Sequence, residues 1–230
     1  MRSMTTEAAL YRLMSWLTPA YPTGAFSYSH GLEYAVATGL VRERESLVDW
    51  VATAVASGAG KSDGALLVAA WRAAAAEDRD ALDAVAELAA AWRGTAETAL
   101  ESRAQGAAFL GVTRTAWPHP LLEALALRDQ GELALPVAVG VAAAAQHVPL
   151  AATLTAYLHA FAGNLVSAGV RLIPLGQSDG QRAIAALEAT VAVTAEHVLK
   201  TPLERIGTAA PLIDWCSMRH ETQYTRLFRS

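Results

Sequence analysis

The 230-residue sequence has one cysteine, few charged residues and no cluster of basic residues. Cys216 has no second cysteine with which to form an internal disulfide, which fits a reducing compartment such as the cytoplasm. Lysine and arginine number 18 against 22 aspartates and glutamates, and the net charge is −4. Because binding to nucleic acids or anionic membranes depends on concentrated positive charge, we expect neither as a partner.

Uninterrupted hydrophobic runs are also missing. The most apolar region, residues 133–175, contains much alanine and is broken by polar residues and prolines. No segment therefore offers the roughly 20 strongly apolar residues that a membrane helix needs. The first 14 residues lack an extended apolar core and include Glu7 and Arg12, which argues against a secretory signal. We expect a cytoplasmic protein without a membrane span.

Apolar residues are nevertheless in excess, at 53% of the chain against 17% charged residues. This surplus predicts burial of some apolar surface against a partner or a second copy. No stretch alternates strictly between apolar and polar residues, so we predict no sheet. Apolar residues recur instead at helical spacing, as at Leu10, Leu13, Met14 and Leu17 in the first predicted helix.

The stretch Asn164–Arg182 is expected to organise the helices around it. Its first part has no wide polar stripe, and a proline and a glycine near its centre predict a turn into the next helix. Ser178 followed by Gln181 matches the capping-box pattern at a helix start. Arg171 lies in the apolar part and needs a partner or a route to water. We interpret the stretch as a central helical hairpin.

Together these patterns predict an all-α fold, a single-domain helical bundle of roughly ten helices over residues 1–202. A C-terminal interaction tail over residues 203–230 follows, packed on the same domain or extending from it. The tail lacks a sustained helical stripe but is rich in arginine and aromatic residues, which are enriched at interface centres. It could fold back on its own bundle or bind a partner, with or without prior order, and the residues leave both open.

No catalytic constellation is present in the sequence. Residues 58–62, Gly-Ala-Gly-Lys-Ser, resemble the end of a phosphate-binding loop. The pattern requires a glycine five residues before Gly60, where Val55 stands, and a strand in place of the predicted helix. We interpret this stretch as a helix–helix turn in which Ser62 or Asp63 caps the next helix.

The spacing of histidine and cysteine residues gives equally weak evidence for a metal site. The six histidines never fall at i and i+4 on one helix, and Cys216 has no second cysteine near it. His30 and Glu33 are the best candidate pair, but exposure to solvent is the better explanation of both. The pair of His220 and Cys216 is a poorer candidate for metal ligands. We expect no catalytic residue, no metal site and no cofactor.

Four blocks of the sequence resemble, in order, the motifs of one protein family. They are Pro22–Glu33 (PTGAFSYSHGLE), Glu101–Gly106 (ESRAQG), Asn164–Arg182 (NLVSAGVRLIPLGQSDGQR) and Ser217–Ser230 (SMRHETQYTRLFRS). On these motifs the chain is similar to the UreF-type urease accessory proteins. The resemblance extends from about residue 10 to residue 230, although residues 60–100 carry no distinguishing motif.

The resemblance implies an all-α maturation factor without enzymatic activity. UreF-like proteins form dimers, bind UreD (called UreH in some systems) and then recruit the GTPase UreG, which brings nickel to apo-urease. Their complex assists carbamylation and nickel insertion at the urease centre. The resemblance therefore implies a cytoplasmic, homodimeric chaperone with UreD or UreH, UreG and apo-urease as partners.

The resemblance also implies which residues bind these partners. In the family the C-terminal segment becomes ordered against UreD, and the matching residues here are Arg219, His220, Tyr224, Leu227 and Phe228. The UreG-facing surface combines the aromatic residue of the first block with the terminal Arg-Leu-aromatic motif, here Phe26 and Arg226. Three neighbours in the first block complete the candidate surface: Tyr28, His30 and Glu33. The residues by themselves also allow Phe26 to belong to the core and Arg226 to be a solvated charge.

Two functions remain to be weighed. A scaffold would bind UreD and UreG without any chemistry of its own. A GTPase-activating or gating regulator would insert an arginine into the UreG nucleotide site, which can change the rate about 10³–10⁵-fold; the candidates are Arg226, Arg229 and Arg182. We favour the scaffold because none of these arginines lies in a fixed, distinctive loop. An independent enzyme would need a polar pocket with perturbed titratable groups, which the sequence does not indicate.

Overall fold

A computed structural model describes residues 6–230 of the chain. Residues 1–5, which begin the predicted bundle, lie outside the described range. Within that range the chain is all-α: it forms helices and no strand, which confirms the predicted fold class. The α-helices are α1 (Thr6–Trp16), α2 (Leu32–Ala37), α3 (Arg44–Ala56), α4 (Ala59–Ala75), α5 (Arg79–Ala91), α6 (Ala96–Ala116), α7 (Pro120–Arg128), α8 (Leu135–Ala145), α9 (Leu150–Leu172), α10 (Gln177–Lys200) and α11 (Pro211–His220).

Helix α8 lies at the centre of the bundle, packed against α4 and α6 and also touching α5, α7 and α9. Its residues from Pro136 to Ala145 are all buried. Small residues allow the neighbouring backbones to come close, since a Cβ on Gly140 would lie 2.6 Å from the carbonyl oxygen of Leu67 on α4. This helix is therefore buried more completely than the 164–182 hairpin that we expected at the centre.

The hairpin itself is present, because α9 ends at Leu172 and α10 begins at Gln177. Glycine is unfavourable inside a helix, and close packing explains its presence at position 169. A Cβ there would lie 2.5 Å from the Leu47 side chain on α3. The predicted capping box at Ser178 is wrong: Gly176 is the N-cap, no side chain caps the helix, and Ser178 lies inside the first turn.

Helix α1 buries a face that overlaps the predicted stripe only in part. Ala9, Leu13 and Trp16 are buried, whereas Leu10 and Met14 are more than half exposed. The helix ends at Trp16, before Pro19 and Pro22. Part of the apolar surplus of the sequence therefore lies on the surface of the described chain.

The helix–helix turn that we expected over residues 58–62 is restricted to the residues before α4. That helix begins at Ala59, and Gly60 and Gly64 lie within it. A Cβ on Gly60 would lie 2.8 Å from the Cα of Val55, so the glycine permits a tight passage between α3 and α4. Ser62 is buried within α4 and does not cap it.

Gly106 in α6 provides a direct test of the packing around α8. A Cβ at this position would collide with the carbonyl oxygen of Leu133 and lie 2.9 Å from the nitrogen of Leu135. Gly106→Ala is expected to lower the free energy of unfolding by about 3 kcal/mol, because backbone atoms would have to move.

Gly111→Ala in the same helix is the matched control, since nothing lies within 4 Å of a Cβ there. This change should raise the free energy of unfolding by about 0.5–1 kcal/mol, as alanine is the better helix former. Urea denaturation of both variants measures the difference. Equal stabilities would refute the close approach of α6 to the segment before α8.

The tail folds back on the bundle in the structure, which is one of the two alternatives that the sequence left open. It contains a 3-10 turn at Leu203–Arg205 and then α11, which packs against α2 and α6. Residues 221–230 continue without regular helix, and Phe228 is buried. None of the helices between residues 6 and 230 is long and apolar enough to cross a bilayer.

Candidate partner-binding surface

Phe26 is exposed on a short 3-10 turn, Ala25–Ser27. Its side chain is 63% exposed, so it does not belong to the core. Two apolar residues of the tail, Tyr224 and Leu227, are also largely exposed. We call these three residues, with Arg226, the turn–tail surface.

Backbone hydrogen bonds join the turn to the tail. The Arg229 N–H donates to the Ser27 carbonyl oxygen over 2.7 Å, and the Ser29 N–H donates to the Ser230 carbonyl oxygen over 2.7 Å. This pairing fixes the register between the two segments, since both partners are backbone groups at fixed positions along the chain. The exposed side chains of the turn and of the tail are therefore held relative to each other.

Arg171 on α9 makes a second connection between the same segments. Its guanidinium donates to the Phe26 carbonyl oxygen over 2.8 Å, and its Cζ lies 4.3 Å from the centre of the Phe228 ring. The latter distance is typical of a cation–π contact. The arginine that seemed out of place in an apolar run has a partner on each segment while remaining exposed to solvent.

Glu33 on α2 binds the tail from beneath. Its carboxylate accepts the N–H of Leu227 over 2.6 Å and that of Phe228 over 2.9 Å. Glu33 and His30 are both buried, so the expectation that exposure explains their polarity is wrong. Because the Glu33 carboxylate is buried, loss of these two donors would leave it with fewer hydrogen bonds and away from water, which costs free energy. Its burial therefore stabilises the position of the tail.

His220, the last residue of α11, is completely buried between two carboxylates. Its Nε2 lies 3.0 Å from Glu33 and its Nδ1 lies 2.9 Å from Glu97 on α6. Arg226 adds an ion pair to Glu97 at 3.2 Å. Burial raises the pKa of Glu97, while the hydrogen bond with His220 and the charges of His220 and Arg226 act in the opposite direction.

His30 forms a parallel set of contacts around Glu101 on α6. The His30 Nε2 and the Gln105 amide lie 3.0 Å and 2.8 Å from one carboxylate oxygen, and the Ser230 hydroxyl lies 3.0 Å from the other. Burial alone lowers the pKa of His30, but the charge and hydrogen bond of Glu101, with a further contribution from Asp63, raise it overall.

The backbone around His30 is left-handed, with φ of 51° at His30 and 74° at Gly31. A Cβ on Gly31 would lie 2.5 Å from the nitrogen of Ser217, so α11 packs directly against this turn. Positive φ is costly for most residues and favours glycine. The two residues thus turn the chain so that His30 points inward beneath the tail, where it reaches Glu101.

A cavity of about 580 Å³ runs from the turn into the bundle. Its polar lining includes Asp63 and Arg93, which pair at 2.8 Å, and Tyr157, whose hydroxyl donates to Asp63 over 3.0 Å. Asp63 does not cap α4, contrary to the expectation, because it lies buried inside the helix. Burial raises the pKa of Tyr157 well above its usual value, with the charge of Asp63 adding to the effect.

Part of the lining of this cavity is polar and includes titratable groups with shifted pKa values, which the sequence did not indicate. The charged groups Asp63, Arg93 and Glu101 in its lining already have partners within the protein. Among residues 6–230, no group of three or more histidine, cysteine, aspartate or glutamate side chains is arranged to hold a metal ion.

Comparison with known proteins identifies the family. The UreF family profile matches residues 41–188. A urease accessory protein UreF of Granulibacter bethesdensis is 59% identical over 228 residues, which cover 99% of this chain and 97% of that protein. The chain belongs to the UreF family. A urease accessory protein UreF of Bradyrhizobium diazoefficiens is 49% identical over 223 residues, which cover 97% of this chain and 92% of that protein.

The residues predicted from the UreF motifs divide into two groups in the structure. The exposed ones are Phe26, Arg219, Tyr224, Arg226 and Leu227. The buried ones are Tyr28, His30, Glu33, His220 and Phe228. The first group can touch a partner directly, whereas the second lies beneath the turn and the tail and supports them.

An exposed apolar row on α11 was not among the predicted site residues. Leu212, Trp215 and Met218 are each between 46% and 49% exposed. Their spacing of three residues places them along one side of the helix, and this spacing was visible in the sequence. The Trp215 ring meets the ring of Tyr34 edge-on, with 5.4 Å between the ring centres, so its orientation is supported by α2.

Proposed function

We propose that this chain is a urease maturation factor that binds UreD (UreH) and recruits the GTPase UreG for nickel insertion into apo-urease. In this proposal it acts as a cytoplasmic homodimeric scaffold and catalyses no reaction itself. The observation that carries the proposal is the turn–tail surface, in which exposed apolar side chains from two distant parts of the chain are held together by hydrogen bonds and Arg171.

The composition of this surface supports binding to another protein. Exposed aromatic and leucine side chains gain free energy when a partner covers them, and arginine and tyrosine are frequent hot-spot residues. Tyr224 and Phe26 have most of their side-chain area available. The backbone pairing holds both segments before binding, which lowers the entropy cost of association.

The two partners are assigned to different parts of the surface. We propose that UreD covers the exposed row on α11 together with Arg219, Tyr224 and Leu227. Phe26 and Arg226 then face UreG, as the family motifs imply. Both the residues assigned to UreD and those assigned to UreG include residues of the tail. Binding of UreD can therefore fix the position of the residues that UreG contacts.

Phe26→Ala is expected to weaken UreG recruitment about 30-fold, corresponding to the roughly 2 kcal/mol that a hot-spot aromatic residue contributes. UreD binding should persist, because the tail retains its hydrogen bonds to Glu33. A pull-down of UreG by the preformed complex with UreD measures the effect. Leu127→Ala is the matched control, since Leu127 is 87% exposed on α7, outside the surface. Unchanged UreG recovery would remove Phe26 from the site.

The alternative function is regulation of GTP hydrolysis by UreG through an arginine. Two of the candidate arginines are engaged within the chain, Arg226 with Glu97 and Arg182 with Asp179. An arginine that must enter a nucleotide site would first have to leave its carboxylate, which favours the scaffold. Single-turnover GTP hydrolysis by UreG separates the two functions: a rise in rate that is lost on Arg226→Ala would favour the regulator.

A further inference from the structure

The short turn that presents Phe26 is closed by hydrogen bonds within its own backbone. The Ser27 N–H donates to the Gly24 carbonyl oxygen over 3.0 Å, and the Tyr28 N–H donates to the Ala25 carbonyl oxygen over 3.2 Å. Gly24 has a φ of 75°, a left-handed conformation that glycine adopts readily. The turn is therefore a compact unit, and its place on the bundle depends on the residues that anchor it.

His30, two residues after Tyr28, anchors this unit to α6. Its Nε2 lies 3.0 Å from Oε1 of Glu101, and the Gln105 amide donates to the same oxygen over 2.8 Å from the next turn of the helix. The side chains of His30 and Glu101 are only 10% and 6% exposed, so water does not readily replace either partner. Loss of a buried polar contact of this kind costs free energy.

Helix α9 contacts the same unit at two points. The ring of Phe161 meets the His30 ring edge-on, with 5.0 Å between the ring centres. Asn164, three residues later on the helix, donates its amide to the Tyr28 carbonyl oxygen over 3.3 Å. His30 itself has a left-handed φ, which is unfavourable for residues other than glycine and persists where surrounding contacts maintain it.

These anchors do not involve the tail. His30 and Gln105 contact Oε1 of Glu101, whereas Ser230 contacts the other oxygen, Oε2. Phe161 and the other anchoring residues all lie outside residues 203–230. The turn therefore keeps these contacts even if the tail becomes ordered only against UreD, as the resemblance implies.

We propose that Glu101 is a positioning residue for UreG recruitment, which holds His30 and thereby fixes the turn that presents Phe26. This inference rests on the proposed function, in which Phe26 faces UreG. It gives a role to a residue of the second sequence block, for which the motifs implied none. An aromatic side chain on a turn that is already fixed loses less conformational freedom on binding, which favours association.

Amide hydrogen exchange of the full chain without partners tests the anchor. His30→Asn removes the ring but keeps a residue that tolerates a left-handed φ, and it leaves Glu101 in place. Protection of the Ser27 and Tyr28 amides should fall about tenfold, while amides within α8 keep theirs. The exposed His197→Asn on α10 is the matched control and should behave as the unmodified chain.

Recruitment of UreG by the preformed complex with UreD separates positioning from a general loss of stability. His30→Asn should weaken recruitment about tenfold in the otherwise unmodified chain. In a chain that carries Phe26→Ala it should weaken recruitment less than about twofold, because that turn has no aromatic side chain to position. Equal losses in the two backgrounds would show that His30 only supports the fold, which would overturn the proposal.

Glu101→Ala removes the acceptor itself and should give the same two results. Glu123→Ala is its matched control, because Glu123 forms only a half-exposed ion pair with Arg114 and should change neither measurement. Should one of the two variants, His30→Asn or Glu101→Ala, fail to fold, the other decides. Full protection of the turn amides, or normal recruitment of UreG, in a variant that folds would overturn the proposal.

The exchange measurement uses the chain without partners, so it fails independently of the proposed function. Loss of turn protection in variants of a chain that never binds UreG would refute the proposed function, and with it the role in recruitment, while the hold on the turn would stand. Recruitment of UreG by variants whose turn keeps its protection would refute the positioning role alone.

Discussion

Deleting residues 222–230 is expected to weaken binding of UreD and UreG at least about 100-fold. The deletion removes Tyr224, Arg226 and Leu227, and each hot-spot side chain of this kind contributes about 2 kcal/mol. All of the α-helices in the described range end by His220, so circular dichroism should show nearly unchanged helical content. Isothermal titration with each partner measures the loss of affinity.

The deletion also removes the donors to Glu33 and Glu101, and a matched substitution separates binding from folding. Tyr224→Ala with Leu227→Ala keeps the backbone bonds of the tail and truncates only exposed side chains. It should reproduce most of the loss of binding without loss of stability. Val193→Ala, at a 66% exposed position on α10, should bind as the unmodified chain does. Full affinity of the double variant would show that the tail supports the fold without touching a partner.

Asp63→Asn is expected to lower the free energy of unfolding by about 3–5 kcal/mol. The substitution keeps the shape of the side chain but leaves the guanidinium of Arg93, which is 7% exposed, without its charged partner. The Nε of Arg93 has no hydrogen-bond partner in the described structure, and its remaining hydrogen bond goes to the neutral hydroxyl of Ser102 over 2.7 Å. Urea denaturation near pH 7 measures the change.

The exposed ion pair between Asp83 and Arg128 provides the control for this prediction. Both of its side chains are about half exposed, and such pairs contribute little because water and salt screen them. Asp83→Asn should therefore change the free energy of unfolding by less than about 1 kcal/mol. Similar losses for the two variants would contradict the burial of the Asp63–Arg93 pair.

The helices could be predicted largely from local sequence. Proline and glycine between Leu172 and Gln177 marked the hairpin turn, and helical spacing of apolar residues marked most other elements. Helix starts were harder to predict, because several residues within a few positions of each other could each serve as the N-cap. Helix α3, for example, begins after Glu43, which forms a capping box with Ser46 inside the first turn.

The buried polar groups beneath the tail could not be predicted in the same way. Glu33 and His220 are separated by 187 positions, and nothing local to either one reveals the other. Two polar residues three apart, such as His30 and Glu33, read equally well as an exposed helix face. Only the left-handed turn at His30 and Gly31 directs them inward, and the sequence gives glycine as its single local signal.

The residues of the turn–tail surface were proposed from the family motifs and not from composition, and the structure shows only that they are exposed. Phe26 could have been core by its chemistry, and its motif position alone suggested otherwise. The α11 row was missed because Pro211–His220 is too short for a sustained amphipathic pattern. A short helix shows its exposed side only when the surface that it packs against is known.

Size-exclusion chromatography of the purified chain mixed with UreD and UreG tests most directly whether it acts by holding partners. We expect the three proteins to elute together in one complex that forms without turnover of a substrate. The double variant Tyr224→Ala with Leu227→Ala should elute apart from both partners. Separate elution of the unmodified chain from UreD and UreG would contradict its role as a scaffold.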